Sequence, residues 1–248
     1  MANPLRSLAR QASHRLNRHP RVKRRLRDAF LRLPPWMRGE QMIHDHLSRL
    51  GRKGPQTFLL IGANDGVTDD HLYPFVIRHG WKGTAVEPVP QYFHELQKHY
   101  NGWPVTCLNA AVHATAESLD FWFLEDTPED PLPPYAKGVG SFERSQVESL
   151  MGEIPRLNER LRCMKVPCSP LGRMLGGADP KKVDVIIIDT EGYDAEVVRQ
   201  IDFTAWNPNT VIFEHKLLPK AELAATLDLL RENGYQCDVG PTDVLAWR

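Results

Sequence analysis

The chain has no apolar run near the ~20 residues needed to cross a bilayer. Its positively charged N-terminus lacks the apolar stretch of a secretory signal, so a cytoplasmic protein is expected. Cysteine is scarce: Cys107, Cys163, Cys168 and Cys237 have no second pair or nearby histidine to complete a zinc site. Free thiols in a reducing compartment are the expectation. Internal repeats and low-complexity tracts are absent. So are the G-x-G-x-x-G of dinucleotide enzymes and the lysine of a nucleotide triphosphate loop.

Net charge is absent too, but the zero conceals an asymmetry. Residues 1–38 hold eleven Lys or Arg and one acid, Asp28, which leaves 20 basic and 30 acidic side chains in residues 39–248. A basic arm is joined to an acidic body. Such an arm favours anionic partners, and an acidic body disfavours a grip on a phosphate backbone. Val22, Leu26, Phe30 and Leu33 fit a helical period, with Pro20 interrupting the arm and Pro34-Pro35 ending it. The arm either lies on an anionic membrane, which would make the protein peripheral there, or packs on the acidic body, or is a solvated tail.

A second short helix is expected over 41–50. The division between a basic helical segment, 1–53, and a catalytic domain, 54–248, is placed in the loop that follows. From there strands and helices alternate. Strands are expected at 57–61, 83–86, 105–108, 118–124, 164–166, 184–188 and 210–213, and helices at 69–79, 89–100, 145–161, 194–201 and 220–233. Residues 125–140, rich in proline and acid, read as a loop or lid. Segments 235–239 and 244–247 suit an antiparallel hairpin. The whole reads as an α/β protein with a mainly parallel, doubly wound sheet.

The chemistry gathers at strand ends. The first strand runs into Ile61-Gly62-Ala63-Asn64-Asp65-Gly66, where two glycines let backbone approach a ligand, although a structural turn explains the pattern nearly as well. The second ends in Glu87-Pro88, twenty-one residues after Gly66, where an acid can accept both hydroxyls of a ribose or cap the next helix. The third ends in Asn109-Ala110-Ala111, small enough for a flat base, with an amide for its edge. Asp189 and Glu191 emerge from the most apolar strand, where they can orient a substrate, take a proton or hold a hard cation, while Asp189 or Thr190 can also cap the next helix. Glu214-His215 follows at the next strand end, with His215 either a general base or a solvated side chain.

These motifs, in this order, resemble the FkbM family of S-adenosylmethionine-dependent methyltransferases. The resemblance is carried by Phe58-Leu59-Leu60-Ile61-Gly62-Ala63-Asn64-Asp65-Gly66, Gly80-Trp81-Lys82-Gly83, Val86-Glu87-Pro88 with Phe93 and Leu96, and Asn109-Ala110-Ala111. It continues through Gly138-Val139-Gly140-Ser141-Phe142, Ile188-Asp189-Thr190-Glu191-Gly192-Tyr193-Asp194 and Ile212-Phe213-Glu214-His215. It implies a class I, Rossmann-like methyltransferase sheet and methyl transfer to a hydroxyl, often on a sugar or natural product. It implies that Gly62, Asn64 and Gly66 cradle the methionine end of S-adenosylmethionine, that Glu87 holds the ribose and that Asn109 and Ala110 flank the adenine. Relatives often carry an acid two residues before the first glycine. Here that residue is Leu60, so the cofactor's amino group needs another partner, Asp65 or Asp189.

An aliphatic hydroxyl is a poor acid, so its attack on a methyl group needs a base or a metal. His215 is the first candidate base, followed by Asp189, Glu191 and Glu214. Convergence of those carboxylates would permit a divalent cation, which the spacing does not establish. The segment 125–142 is expected to shape the acceptor pocket. Two other functions compete: an RNA methyltransferase using the basic arm, and a non-catalytic docking module on the same fold. The first lacks an Asn/Asp-Pro-Pro-Tyr/Phe motif; Asn207-Pro208-Asn209 is not one. The second is disfavoured by intact Glu87, Asp189 and Glu191.

Overall fold

The computed structural model describes residues 35–248 apart from 69–70, 128, 134–135, 150–153, 155 and 177–178. The arm up to residue 34 therefore lies outside the described residues, as does the start of the helix expected at 69. Among the described residues no helix is long and apolar enough to cross a membrane.

Pro35 does not only end one segment; it opens helix α1, Pro35–Lys53, longer than the expected 41–50. Proline is tolerated there because the first amides of a helix have no intrahelical partner. Ile43, Leu47 and Leu50, spaced for one helical face, are all buried. They join a cluster with Phe58, Phe75, Val76, Trp81, Ile212 and Leu245, so α1 packs on the sheet. His46 reaches across to the Thr210 hydroxyl at 2.8 Å. Burial, helped by Arg49 and Lys53, pushes its imidazole down to about 4.

The central sheet is built from β1 Thr57–Ile61, β2 Lys82–Val86, β3 Val105–Leu108, β8 Val185–Ile188, β9 Thr210–Glu214, β10 Gln236–Val239 and β11 Asp243–Trp247. Their order is β10-β11-β9-β8-β1-β2-β3. All adjacent pairs from β3 to β9 are parallel, and β11 is antiparallel to both β9 and β10. Helices α2 Tyr73–His79, α3 Pro90–His99, α6 Asp194–Arg199 and α7 Lys220–Glu232 connect the strands. Successive residues serve opposite faces. Leu59, Ile61, Ile186, Ile188, Val211 and Phe213 enter one core cluster, and Phe58, Leu60, Val185, Ile187 and Ile212 the other. Burial of both faces is why these strands read as unbroken apolar runs.

The expected helix at 145–161 and short strand at 164–166 are corrected. The chain forms two short helices, α4 Arg144–Glu148 and α5 Leu157–Arg160, and then a nine-residue strand, β7 Leu161–Ser169. Arg156, at φ 55°, takes a left-handed conformation that a continuous helix does not allow. β7 pairs along its length with β5 Ser118–Leu124 in a second sheet ordered β4-β7-β5-β6, where β4 is Ala111–Val112 and β6 is Gly140–Ser141. Residues 161–165 carry good helix formers. Their strand state comes from a partner some forty residues earlier in the chain, which no local pattern records.

Because α1 is part of the core, Leu47→Ala should lower unfolding free energy by about 2–5 kcal/mol in urea denaturation. A loss below ~0.5 kcal/mol, within the range of ordinary surface changes, would mean that α1 is not integrated with the sheet.

Candidate active site

The carboxyl ends of β1, β2 and β8 lie side by side, and the space beyond them is the crevice in which this sheet architecture takes ligands. Gly62 and Ala63 both donate to the Val86 carbonyl, at 3.0 and 2.9 Å. Gly62 has φ 79°, and a Cβ there would fall 1.6 Å from the Asp189 carbonyl oxygen. This glycine is required by neighbouring chain, whatever ligand the crevice takes. Asn64 also has positive φ, 48°. Its amide donates to Glu87 Oε2 at 2.9 Å, while the Val89 amide donates to Glu87 Oε1 at 2.8 Å. Glu87 thus ties Val89, the residue before α3, to the first loop. It is only 3% exposed, and burial raises its carboxyl to about 7 despite those two hydrogen bonds.

The other cofactor candidates divide by what they are bonded to. The Asp65 carboxylate accepts from the Val67 and Thr68 amides and the Thr68 hydroxyl, so it shapes its own loop. Asn109 Nδ2 donates to the carbonyls of Glu87 and Pro88, at 2.8 and 3.0 Å. That leaves its Oδ1 as the atom able to accept. Asn109 caps no helix; Ala110 follows it into β4. Asn64 Nδ2 donates to the Lys137 carbonyl at 3.1 Å, and Asn64 Oδ1 is buried without a partner among the described residues.

A second group of acids stands beside this crevice. Asp189 opens to solvent at the end of β8 although protein surrounds it closely. That enclosure, and then Glu214, Asp194, Asp243 and Glu87, hold its carboxyl well above the ordinary range. Water reaching Asp189 through the crevice offsets part of the enclosure, so the upward direction rests chiefly on its carboxylate neighbours. Burial and then Asp189 and Asp194 raise Glu191 to about 8, against the pull of Lys216. Burial followed by Glu191, Asp194 and Asp243 raises Glu214 to about 8. Asp189, Glu191 and Glu214 are thereby brought together. Carboxyls tuned close to neutrality and clustered in a cleft mark a candidate catalytic centre.

His215 stands at the same strand end, but its ring turns to the hairpin: Nε2 lies 2.9 Å from the Gly240 carbonyl. A carbonyl can only accept, so Nε2 carries the proton and Nδ1 is the nitrogen left to take one. Among the described residues no three His, Cys, Asp or Glu side chains are grouped to hold a metal ion.

Two features have contacts that the sequence did not assign. Asp194 is fully buried and accepts from Thr190, Gly192 and Glu214. Asp194 therefore ties the loop before α6, and neither Asp189 nor Thr190 caps that helix. An acid at the first position of a helix was the available signal. The second feature is a strap over 137–142. The Lys137 carbonyl holds Asn64, and the Ser141 hydroxyl donates to the Glu191 carbonyl at 3.2 Å. A Cβ on Gly138 would lie 2.3 Å from Asn64 Nδ2. Phe142 crosses Tyr193 edge-on at 5.3 Å, and Tyr193 stacks on His113 at 5.5 Å.

A parallel sheet with one reversed strand beside its edge, and a glycine turn facing an acid at the next strand end, define a class I, Rossmann-like methyltransferase. Residues 61–237 match the family described as "Methyltransferase FkbM domain", and the chain belongs to that family. Its fold is also similar, at low identity, to several solved structures. The methyltransferase FkbM from Methylobacillus flagellatus KT is 13% identical with a TM-score of 0.44, over 78% of this chain and 44% of that one. The ribosomal protein L11 methylase from Lactobacillus delbrueckii subsp. bulgaricus is 13% identical with a TM-score of 0.41, over 84% and 78%. The METTL16 MTase domain is 12% identical with a TM-score of 0.45, over 87% and 69%. Comparison with curated proteins gives no match. Fold and family imply S-adenosylmethionine as the methyl donor.

The raised carboxyls set a pH dependence. The unfolded chain releases these protons near the ordinary carboxyl range. The folded chain keeps them to about 7 at Glu87 and Asp194 and about 8 at Glu191 and Glu214. Between those limits the folded state binds more protons, so stability falls as pH rises. The melting temperature should be lower at pH 9 than at pH 6, and Glu214→Gln should reduce the difference. A melting temperature that climbs over that interval would contradict the assignment.

Proposed function

We propose that this protein transfers a methyl group from S-adenosylmethionine to a hydroxyl of a sugar, glycan or other natural product. The observation that carries the reading is the cluster of near-neutral carboxylates beside a cleft rich in hydrogen-bond acceptors. The donor set suits the cofactor. S-adenosylmethionine presents ribose hydroxyls, an ammonium group, an adenine amino group and a cationic sulfonium. The crevice offers the acceptors Glu87, Asp189, Asn109 Oδ1 and Asn64 Oδ1, the last without a partner among the described residues. A pyrophosphate cofactor would meet carboxylates instead of amides.

When bound, the cofactor supplies an electrophilic methyl group. The work left to the chain is alignment and removal of one proton. Glu87 would accept from the ribose without releasing the two loop amides, since each carboxylate oxygen has a second lone pair. Asn109 Oδ1 would accept from the adenine edge, with Ala110 leaving room beside it. With Leu60 in place of an acid and Asp65 bonded to its own loop, Asp189 is the partner proposed for the amino group. Glu191 or Glu214 would take the hydroxyl proton, because a carboxylate held near 8 is a far better base than an ordinary one. His215 remains a competing base through Nδ1. The strap carrying Phe142, with Tyr193 and His113, would wall the acceptor side.

Calorimetry should detect binding of S-adenosylmethionine and none of NAD. Glu87→Ala should weaken that binding by about 1–3 kcal/mol. In an assay of demethylated cofactor released with a panel of sugar and glycan acceptors, Glu191→Gln or Glu214→Gln should cut turnover by about 10²–10⁴-fold. Full turnover in both, with loss in His215→Ala, would move the base to His215. Loss with EDTA and rescue by Mg²⁺ would move the chemistry to a metal.

A further inference from the structure

Asp194 has no solvent-exposed surface and stands in the first turn of α6. Its two oxygens face different partners. Oδ2 accepts from the Thr190 hydroxyl at 2.8 Å and from the Thr190 and Gly192 amides, both at 3.3 Å. Oδ1 accepts from the Glu214 amide at 3.2 Å. One carboxylate therefore joins the loop that carries Asp189 and Glu191 to the strand end that carries Glu214. These are separate crossovers of the sheet, and their parallel strands fix only the ladder up to Ile188 and Phe213.

The loop needs such a tie. Glu191 has φ 52°, a left-handed conformation that side chains other than glycine's rarely adopt. The amides on either side of it, at Thr190 and Gly192, converge on the same oxygen of Asp194. Ser141 secures the Glu191 carbonyl from the strap. Glu191 is thus held at its flanks by Asp194 and at its own carbonyl by Ser141, which leaves its carboxyl as the part able to act.

We propose that Asp194 is the positioning residue that holds the two acid-bearing loops of the site in one geometry; this rests on the methyl-transfer reading and deepens it. The role requires a carboxylate. Both oxygens must accept, and asparagine has one acceptor and one donor. An amide at this position would aim an N–H either at the 190–192 loop or at Glu214. Whichever loop met the N–H would be repelled, and the displaced side chain would lose its hold on the other loop as well.

Amide exchange followed by NMR on the full chain tests this without any acceptor. In Asp194→Asn the Thr190, Gly192 and Glu214 amides should all exchange about tenfold or more faster, since the amide's mismatch loosens the tie as a whole, while the Asn64 amide on Glu87 keeps its rate. Thr190→Val, a milder change, should accelerate the same three amides, and Thr190→Ser should restore them. With an acceptor, kcat of Asp194→Asn should fall about tenfold or more while KM for S-adenosylmethionine rises by less, because Glu87 and Asn109 lie outside the tied loops and only Asp189 lies in one. Acceleration in only one of the two loops, or an equal change at Asn64, would overturn the proposal. If Asp194→Asn does not fold, identical exchange in Thr190→Val and Thr190→Ser would overturn it. A wild-type chain that does not bind S-adenosylmethionine would overturn the methyl-transfer reading alone, since the exchange rates are measured without cofactor.

Discussion

The buried carboxylate of Glu87 is the constraint on which the rest of the site depends. It takes one amide from the loop after β1 and one from the head of α3. Burying a charge at 3% exposure is costly unless it is bonded, and the two amides offset that cost without removing it. The same bonds hold Asn64 at φ 48° and so shape the turn from Gly62 to Gly66. The neighbouring β8 closes on that turn until only a hydrogen fits at Gly62. The turn at the proposed cofactor site is therefore shaped by contacts of chain with chain.

A second set of acids extends the same logic. Burial raises the proton affinity of Asp189, Glu191, Asp194 and Glu214, and neighbouring carboxylates add to it at Asp189, Glu191 and Glu214, with Lys216 as a partial counterweight at the last two. This crowding opposes folding at high pH, and such strain is common where a chain keeps groups ready for proton transfer. Asp194 differs from the other three in being sealed and fully bonded. The strap at 137–142 touches both halves, at Asn64 and at Glu191, and so couples the cofactor loop to the acid loop through backbone atoms.

Much of this was legible in the chain itself. The strands at 57–61, 105–108 and 118–124 fall where the apolar pattern puts them, because a sheet buried on both faces, or a half-buried strand between turns, leaves a local record. The place of Glu87 at the end of β2 was legible from the apolar run before it. The helix expected over 145–161 breaks where Arg156 turns left-handed, and the strand expected at 164–166 extends over 161–169 because β7 pairs with β5. Helix α1 was placed with the arm, since nothing local says that its apolar face meets Trp81 and Leu245. His215 shows the same limit: a histidine at a strand end invites a catalytic role, and only the hairpin turn reveals that one ring nitrogen is bonded to Gly240.

The sequence by itself determined the class of fold and the family, because glycine turns and acids at successive strand ends are short-range patterns fixed by backbone geometry. It also determined which acids stand at the ligand edge, since the alternation of strand and helix places them there. Only the tertiary structure decided how those acids divide their work. Asp65 folds its own loop, Asp194 ties two loops together, and Asp189 is the most open of them to solvent. The reason is physical: a carboxylate's role is set by which N–H groups reach it and how much water is left beside it. Both depend on partners far away in the chain.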